Sequence, residues 1–184
     1  LMRVEGEYRL QTTEGARWES QFQNVRSSVA NQAAQVEHNR GQEFALRVQT
    51  VLNKVRPVQG RSKTARSLAL HEGDSDPQNN DSIAVWVRAG WGAQESAVLS
   101  EARRLGQDDA TIHVHLPRQS ADELRNRIVE MLAAQEVLDR NSNPSTPEGR
   151  EAKTAMQGRL DAARQSRDAL IDGVFRGAKV FSGG

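Results

Sequence analysis

Three stretches of this chain carry residue types whose spacing could do chemistry. The first is "AVWVRAGWGAQESAVL", residues 84–99. An apolar run meets Gly90-Trp91-Gly92 and a helical pattern follows. That is the outline of a phosphate-binding turn: strand, glycine loop, helix N-terminus. A Walker A loop needs GxxxxGK[ST], because the lysine neutralises phosphate and the hydroxyl holds magnesium. Neither directly follows Gly92, and the GxGxxG fingerprint fails at Glu95. A carboxylate at a helix start opposes a bound phosphate. The expectation is a tight strand-to-helix turn with Trp91 packed over a sheet. A degenerate nucleotide-binding domain around residues 83–117 is the competing reading.

His113 and His115 are the second signal. Two apart on a strand, they share one face, while Ile112, Val114 and Leu116 share the other. Paired histidines can hold zinc, but a site needs a third or fourth ligand. His71 would serve only if strand register brought it near. The polar face of a half-buried sheet is the simpler expectation, with no metal.

The third signal is basic: Lys54, Arg56, Arg61, Lys63 and Arg66. Clustered cations can track phosphates. No aromatic residue lies among them, so base stacking is not suggested. The acidic loop at Glu72, Asp74, Asp76 and Asp81 could balance them within the chain. A solvated linker is expected, with DNA contact as the alternative. No G-x-S-x-G occurs, and with no cysteine a Cys–His pair is impossible. Nothing assembles a nucleophile, base and oxyanion donor. No catalytic residue and no cofactor is expected within this chain.

The elements that must position these residues follow from periodicity. Residues 1–12 read as a β-hairpin turning at Glu5-Gly6, with Gly6 supplying the positive φ. A winged-helix wing cut off upstream has this form, as do many small sheets. Residues 13–56 are helical. Trp18, Phe22, Val25, Val29, Ala33 and Val36 form one apolar stripe, which Phe44, Val48, Val51, Leu52 and Val55 resume. Unbroken, that helix would run roughly 60 Å, about twice the width of a compact domain this size. Gly41 marks the expected kink or break. Residues 57–120 form a small α/β unit with strands at 67–71, 83–89 and 111–116. The last two are expected to be parallel across a helix that Gly106 stops. Ser120 and Glu123 form an S-x-x-E capping box, and Thr146-Pro147 a second helix start. Residues 121–176 are therefore an antiparallel helical hairpin. Leu124, Ile128, Met131, Leu132, Leu138, Ala152, Met156, Leu160, Ala163, Leu170 and Val174 face inward in it. Residues 177–184 close as a strand and tail. The fold class is mixed α/β.

With 184 residues but only 36% of them hydrophobic, the chain can bury one or two modest cores. Twenty-five Lys+Arg against 24 Asp+Glu give a net charge of +1 and no global pull toward nucleic acid. Absent cysteines suit a cytoplasmic protein. No apolar run approaches the roughly 20 residues of a membrane span, and no signal peptide is visible. Leu1 and Ser182-Gly183-Gly184 read as cuts through a longer protein.

Four phrases resemble one family: "GEYRLQTTEGARWESQF", "SIAVWVRAGW", "HVHLPRQSADELRNRIV" and "NPSTPEGREAKTAM". They are similar to the large P-loop ATPase of bacterial BREX phage-defence systems, the BrxC/PglY type. The resemblance implies an interior fragment downstream of the ATPase module. It implies ATP and magnesium in the parent, and a methyltransferase and a PglZ-type protein as co-workers. The family's nucleotide motif is absent here, so none of its functional residues maps onto this chain. The expectation is a non-catalytic module that contacts other domains of its parent or other BREX components, and no membrane.

Overall fold

The computed structural model describes residues 2–4, 7–9, 12–73, 75–77, 82–106 and 109–182. It is mixed α/β, and the chain forms two compact units. One takes Leu1–Arg40 and Asp122–Leu170, the other Gly41–Ala121 and Ile171–Gly184.

The first unit is chiefly helical. Strands β1 (Met2–Val4) and β2 (Glu7–Arg9) pair antiparallel, with Val4 opposite Glu7. The Glu5-Gly6 turn itself lies outside the described residues. Helix α1 (Thr13–Ala30) starts where the Thr12 hydroxyl accepts from the Gly15 N–H at 3.0 Å, satisfying a donor that the first turn would strand. Trp18, Phe22, Val25 and Val29 are its buried stripe.

The break expected at Gly41 lies instead at Asn31-Gln32. The Asn31 N–H bonds the carbonyls of Ser28 and Val29, and Gln32 restarts the ladder by accepting from Val36. Helix α2 (Ala33–Leu52) then runs straight through Gly41, and the boundary between the units falls there. A helical glycine costs only about 1 kcal/mol relative to alanine, which packing of Val36, Phe44 and Val48 readily offsets. Ala33, placed on the buried stripe by spacing, is exposed.

Helices α4 (Ala121–Arg140) and α5 (Pro147–Arg176) enclose the rest of this core. Within the unit, Gln135 meets Arg164 while Met131 meets Arg167, so the two helices run antiparallel. Likewise Gln21 meets Asn141 and Ala30 meets Arg125, so α1 and α4 are antiparallel. The Arg125 guanidinium donates to the last carbonyl of α1, a favourable place for a cation. Thr146 caps α5 as its sequence requires, accepting from the Gly149 N–H at 3.1 Å. Ser120 does not take the expected capping-box geometry. Its φ is +48°, whereas a capping serine needs extended backbone. Leu132 and Leu170 are half-exposed, and Val137 and Ile171 are buried where the sequence stripe had not placed them.

The second unit holds a four-stranded sheet in the order β5-β6-β7-β8. Strands β5 (Ser67–His71), β6 (Ser82–Ala89) and β7 (Ile112–Leu116) are parallel neighbours. Strand β8 (Lys179–Phe181) adds antiparallel to β7. Helix α3 (Glu95–Leu105) connects β6 to β7 and stops at Gly106, φ +72°. Strands β3 (Val58–Gln59) and β4 (Thr64–Ala65) make a separate small hairpin from the segment expected to be a linker.

Register sorts the sheet into two faces. One carries Ala84, Trp86 and Arg88 beside His113 and His115, and α3 reaches it through Glu101. The other carries Leu70, Val85, Val87 and Val114. Phe44 and Val48 of α2 lie beside Leu70 and Val87 on this face, bordering a small cavity. Parallel strands covered on both faces are the usual arrangement.

Candidate functional site

The chemically rich residues converge under α3. Arg88 is central. Its guanidinium ion-pairs with Glu101, lies 3.9 Å over the Trp86 ring and donates to His113 Nδ1 at 3.0 Å. Trp86 itself stands between two imidazoles, with His71 at 5.7 Å and His113 at 5.6 Å between ring centroids. Its indole N–H donates to the Gly73 carbonyl at 2.8 Å. His115 Nε2 donates to the Ala93 carbonyl at 3.1 Å, since a carbonyl can only accept. His115 Nδ1 and Arg88 Nε are buried without a hydrogen-bond partner.

The histidines do not lie on a half-solvated polar face. His113 is 1% exposed and His115 5%, while Ile112 and Val114 are less buried. The physical reason is α3. Its Val98 and Ala102 pack down on this side, and Glu101 and Arg88 neutralise each other there. Burial, and secondarily the Arg88 charge, hold the His113 pKa below the ordinary imidazole value. Trp86 separates His71 from His113 in the row His71–Trp86–His113. Among the described residues no group of three or more potential metal ligands converges.

The Gly90-Trp91-Gly92 stretch is a tight turn, with the N–H groups of Gly92 and Ala93 both donating to the Ala89 carbonyl at 3.0 Å. Gly90 is required by crowding. A Cβ there would stand 2.7 Å from the Arg118 backbone nitrogen. Trp91 packs on Phe44, ring centroids 5.7 Å apart. Glu95, at the first turn of α3, is held by Lys179 at 2.8 Å, so a carboxylate–ammonium pair occupies the region where a phosphate-binding turn would place its anion.

The basic run takes a different form. Lys54 is in the turn after α2, Arg56 folds back to donate to the carbonyls of Asn53 and Val55, and Arg61 and Lys63 occupy the β3–β4 turn. Gly60 and Lys63 have φ of +40° and +50° there. Arg66 is half-buried, its N–H closing the hairpin on the Pro57 carbonyl. The acidic loop does not simply balance these cations: Asp76 pairs with Arg104 of α3. Asp74 and Asp81 lie outside the described residues.

Sequence reasoning missed the Arg88–Glu101 pair. The one available signal was an arginine amid an apolar strand. It also missed that Val51 and Val55, read as core, stand 55% and 43% exposed, with Val58 at 60%. No helix among the described residues is long and apolar enough to cross a membrane. No protein-family model, curated protein or solved structure matches this chain.

Proposed function

We propose that this chain is a non-catalytic interaction module of a large cytoplasmic ATPase of the BREX antiphage type that its sequence resembles. One observation carries the interaction role. The end of α2 and the following hairpin expose Val51, Val55 and Val58 among cations. By contrast, Arg88, Glu101 and His113 are engaged with one another beneath α3. These exposed side chains support an interaction role. Isolated exposed aliphatic residues are ordinary, but a cluster rimmed by charge marks a contact surface.

The partners that suit this role are the rest of the parent chain, the methyltransferase and the PglZ-type protein. Co-expression of the tagged chain with each of these, followed by affinity capture and size exclusion, tests it. Stoichiometric co-elution with one of them is expected. Failure to capture any of them would remove the proposal. Saturable ATP binding lost on Gly92→Val would replace it with a nucleotide-binding one.

A further inference from the structure

We infer that the exposed end of α2 with the β3–β4 hairpin is a docking surface for an acidic protein segment bearing aliphatic side chains between its carboxylates. The inference rests on the interaction-module reading and specifies the partner's chemistry. The apolar stripe of α2 outruns its cover. Phe44 and Val48 are buried, yet Val51 in the last turn of α2 is exposed, as are Val55 and Val58 beyond the helix end at Leu52. Hydrogen bonds from the Lys54 and Val55 N–H groups to the Val51 and Leu52 carbonyls fold residues 51–55 into a compact turn.

The buried part of the stripe borders an apolar cavity of about 110 Å³. Phe44, Val48, Leu70, Val87 and Leu116 line it, with Glu72 also on its wall. Exposed valines at and beyond the end of a helix suit an amphipathic segment that presents apolar side chains at i, i+3, i+4 and i+7.

Charge selects the sign of the occupant. Between Glu43 and Glu72 the chain contains Arg47, Lys54, Arg56, Arg61, Lys63 and Arg66 and no acid. Arg47 is tied to Asp172, and Arg56 keeps its charge while bonding neutral carbonyls. Lys54, Arg61 and Lys63 are exposed in the same stretch of chain as the valines. A phosphate backbone would use the cations but not the valines, and no aromatic residue among them offers a stacking platform for bases. A segment with carboxylates and aliphatic groups uses both.

The test is fluorescence anisotropy with a labelled Glu/Leu peptide, leucines at i, i+3, i+4 and i+7. Controls are the same peptide with Ser for Leu, and a mixed-sequence DNA duplex. Saturable binding of the Glu/Leu peptide is expected. It should weaken at least about tenfold in Val55→Ser/Val58→Ser and again in Arg61→Glu/Lys63→Glu, about 1.4 kcal/mol each. Both variants change exposed residues, so their thermal melts should match the parent chain. Equal binding of the Glu/Ser peptide, tighter binding of the duplex, or no saturable binding of the Glu/Leu peptide would each overturn the inference. Capture of a BREX component that survives both variants would remove this surface while leaving the module reading intact. Peptide binding by a chain that captures no component would retain the surface and remove the module reading.

Discussion

Arg88 donates a hydrogen bond to His113 Nδ1 across 3.0 Å. A guanidinium has no acceptor, so His113 Nδ1 must be bare and the neutral ring carries its proton on Nε2. Protonation would place an N–H against Arg88 and a second cation beside it. This is the geometric counterpart of the lowered His113 pKa.

Stability should therefore depend on pH through His113. Its folded pKa lies below the ordinary value of 6.5, so the unfolded chain binds the proton more readily. The stabilisation is complete above about pH 6.5 and is lost as pH falls from there toward the depressed folded value. Urea midpoints from about pH 8 to about pH 5 should drop on the acid side. The slope should shrink in His113→Gln. An NMR titration of the His113 ring showing an ordinary midpoint would contradict this.

Glu19 adds a second, more acidic window. Burial raises its pKa, but hydrogen bonds from Gln23 and Arg159 together with the Arg159 charge outweigh burial and hold it below 4.5. Its contribution is present above that pH and lost below it. Arg159→Met should bring the Glu19 titration midpoint back up. An unchanged midpoint would mean the link between α1 and α5 is ineffective.

The Arg88–Glu101 pair should be strongly coupled. Arg88 is only 11% exposed and Glu101 25%. Breaking a buried pair by removing one partner costs about 3–5 kcal/mol, and the partial exposure of Glu101 lowers that cost when Arg88 is the residue removed. Glu101→Gln strands the more buried charge. The double variant Arg88→Met/Glu101→Met should be destabilised by less than the sum of the single Met replacements, with a coupling of about 0.5–3 kcal/mol. Strict additivity in denaturant melts would show that the pair is solvated.

Two glycines should respond oppositely to alanine. Gly41→Ala meets nothing within 4 Å and should stabilise α2 by about 0.8–1.0 kcal/mol. Gly90→Ala puts a methyl 2.7 Å from the Arg118 nitrogen and should destabilise by about 1–3 kcal/mol, as overpacking does. Equal melting temperatures for the two variants would refute the crowding at Gly90.

Leu160→Ala should cost about 2–5 kcal/mol, because Leu160 is 2% exposed within the helical unit. An unchanged melting temperature would argue that α5 leaves this stripe open in solution.

What the sequence determined by itself is local. Thr146-Pro147 starts a helix because the cap and the fixed φ act within four residues. Gly106 ends one because it tolerates positive φ. The pattern 83–89, helix, 111–116 produced parallel neighbours because a crossover of that length returns to the same sheet. Alternation likewise sorted His113 and His115 onto one face. Tertiary structure decided what covers each face, since burial depends on elements distant in sequence. Packing outweighed the small cost of Gly41, so the helix broke at Asn31-Gln32 instead. At Ser120 a left-handed backbone replaced the local capping pattern. The position of α3 brought Glu101 to Arg88 and buried the imidazoles. The same dependence left Val51 and Val55 exposed. Val51 continues the spacing of Phe44 and Val48 but lacks their cover, and Val55 lies past the end of α2 at Leu52, where the helical period no longer applies. A periodic pattern states which side chains point together, while only a neighbouring element removes them from water.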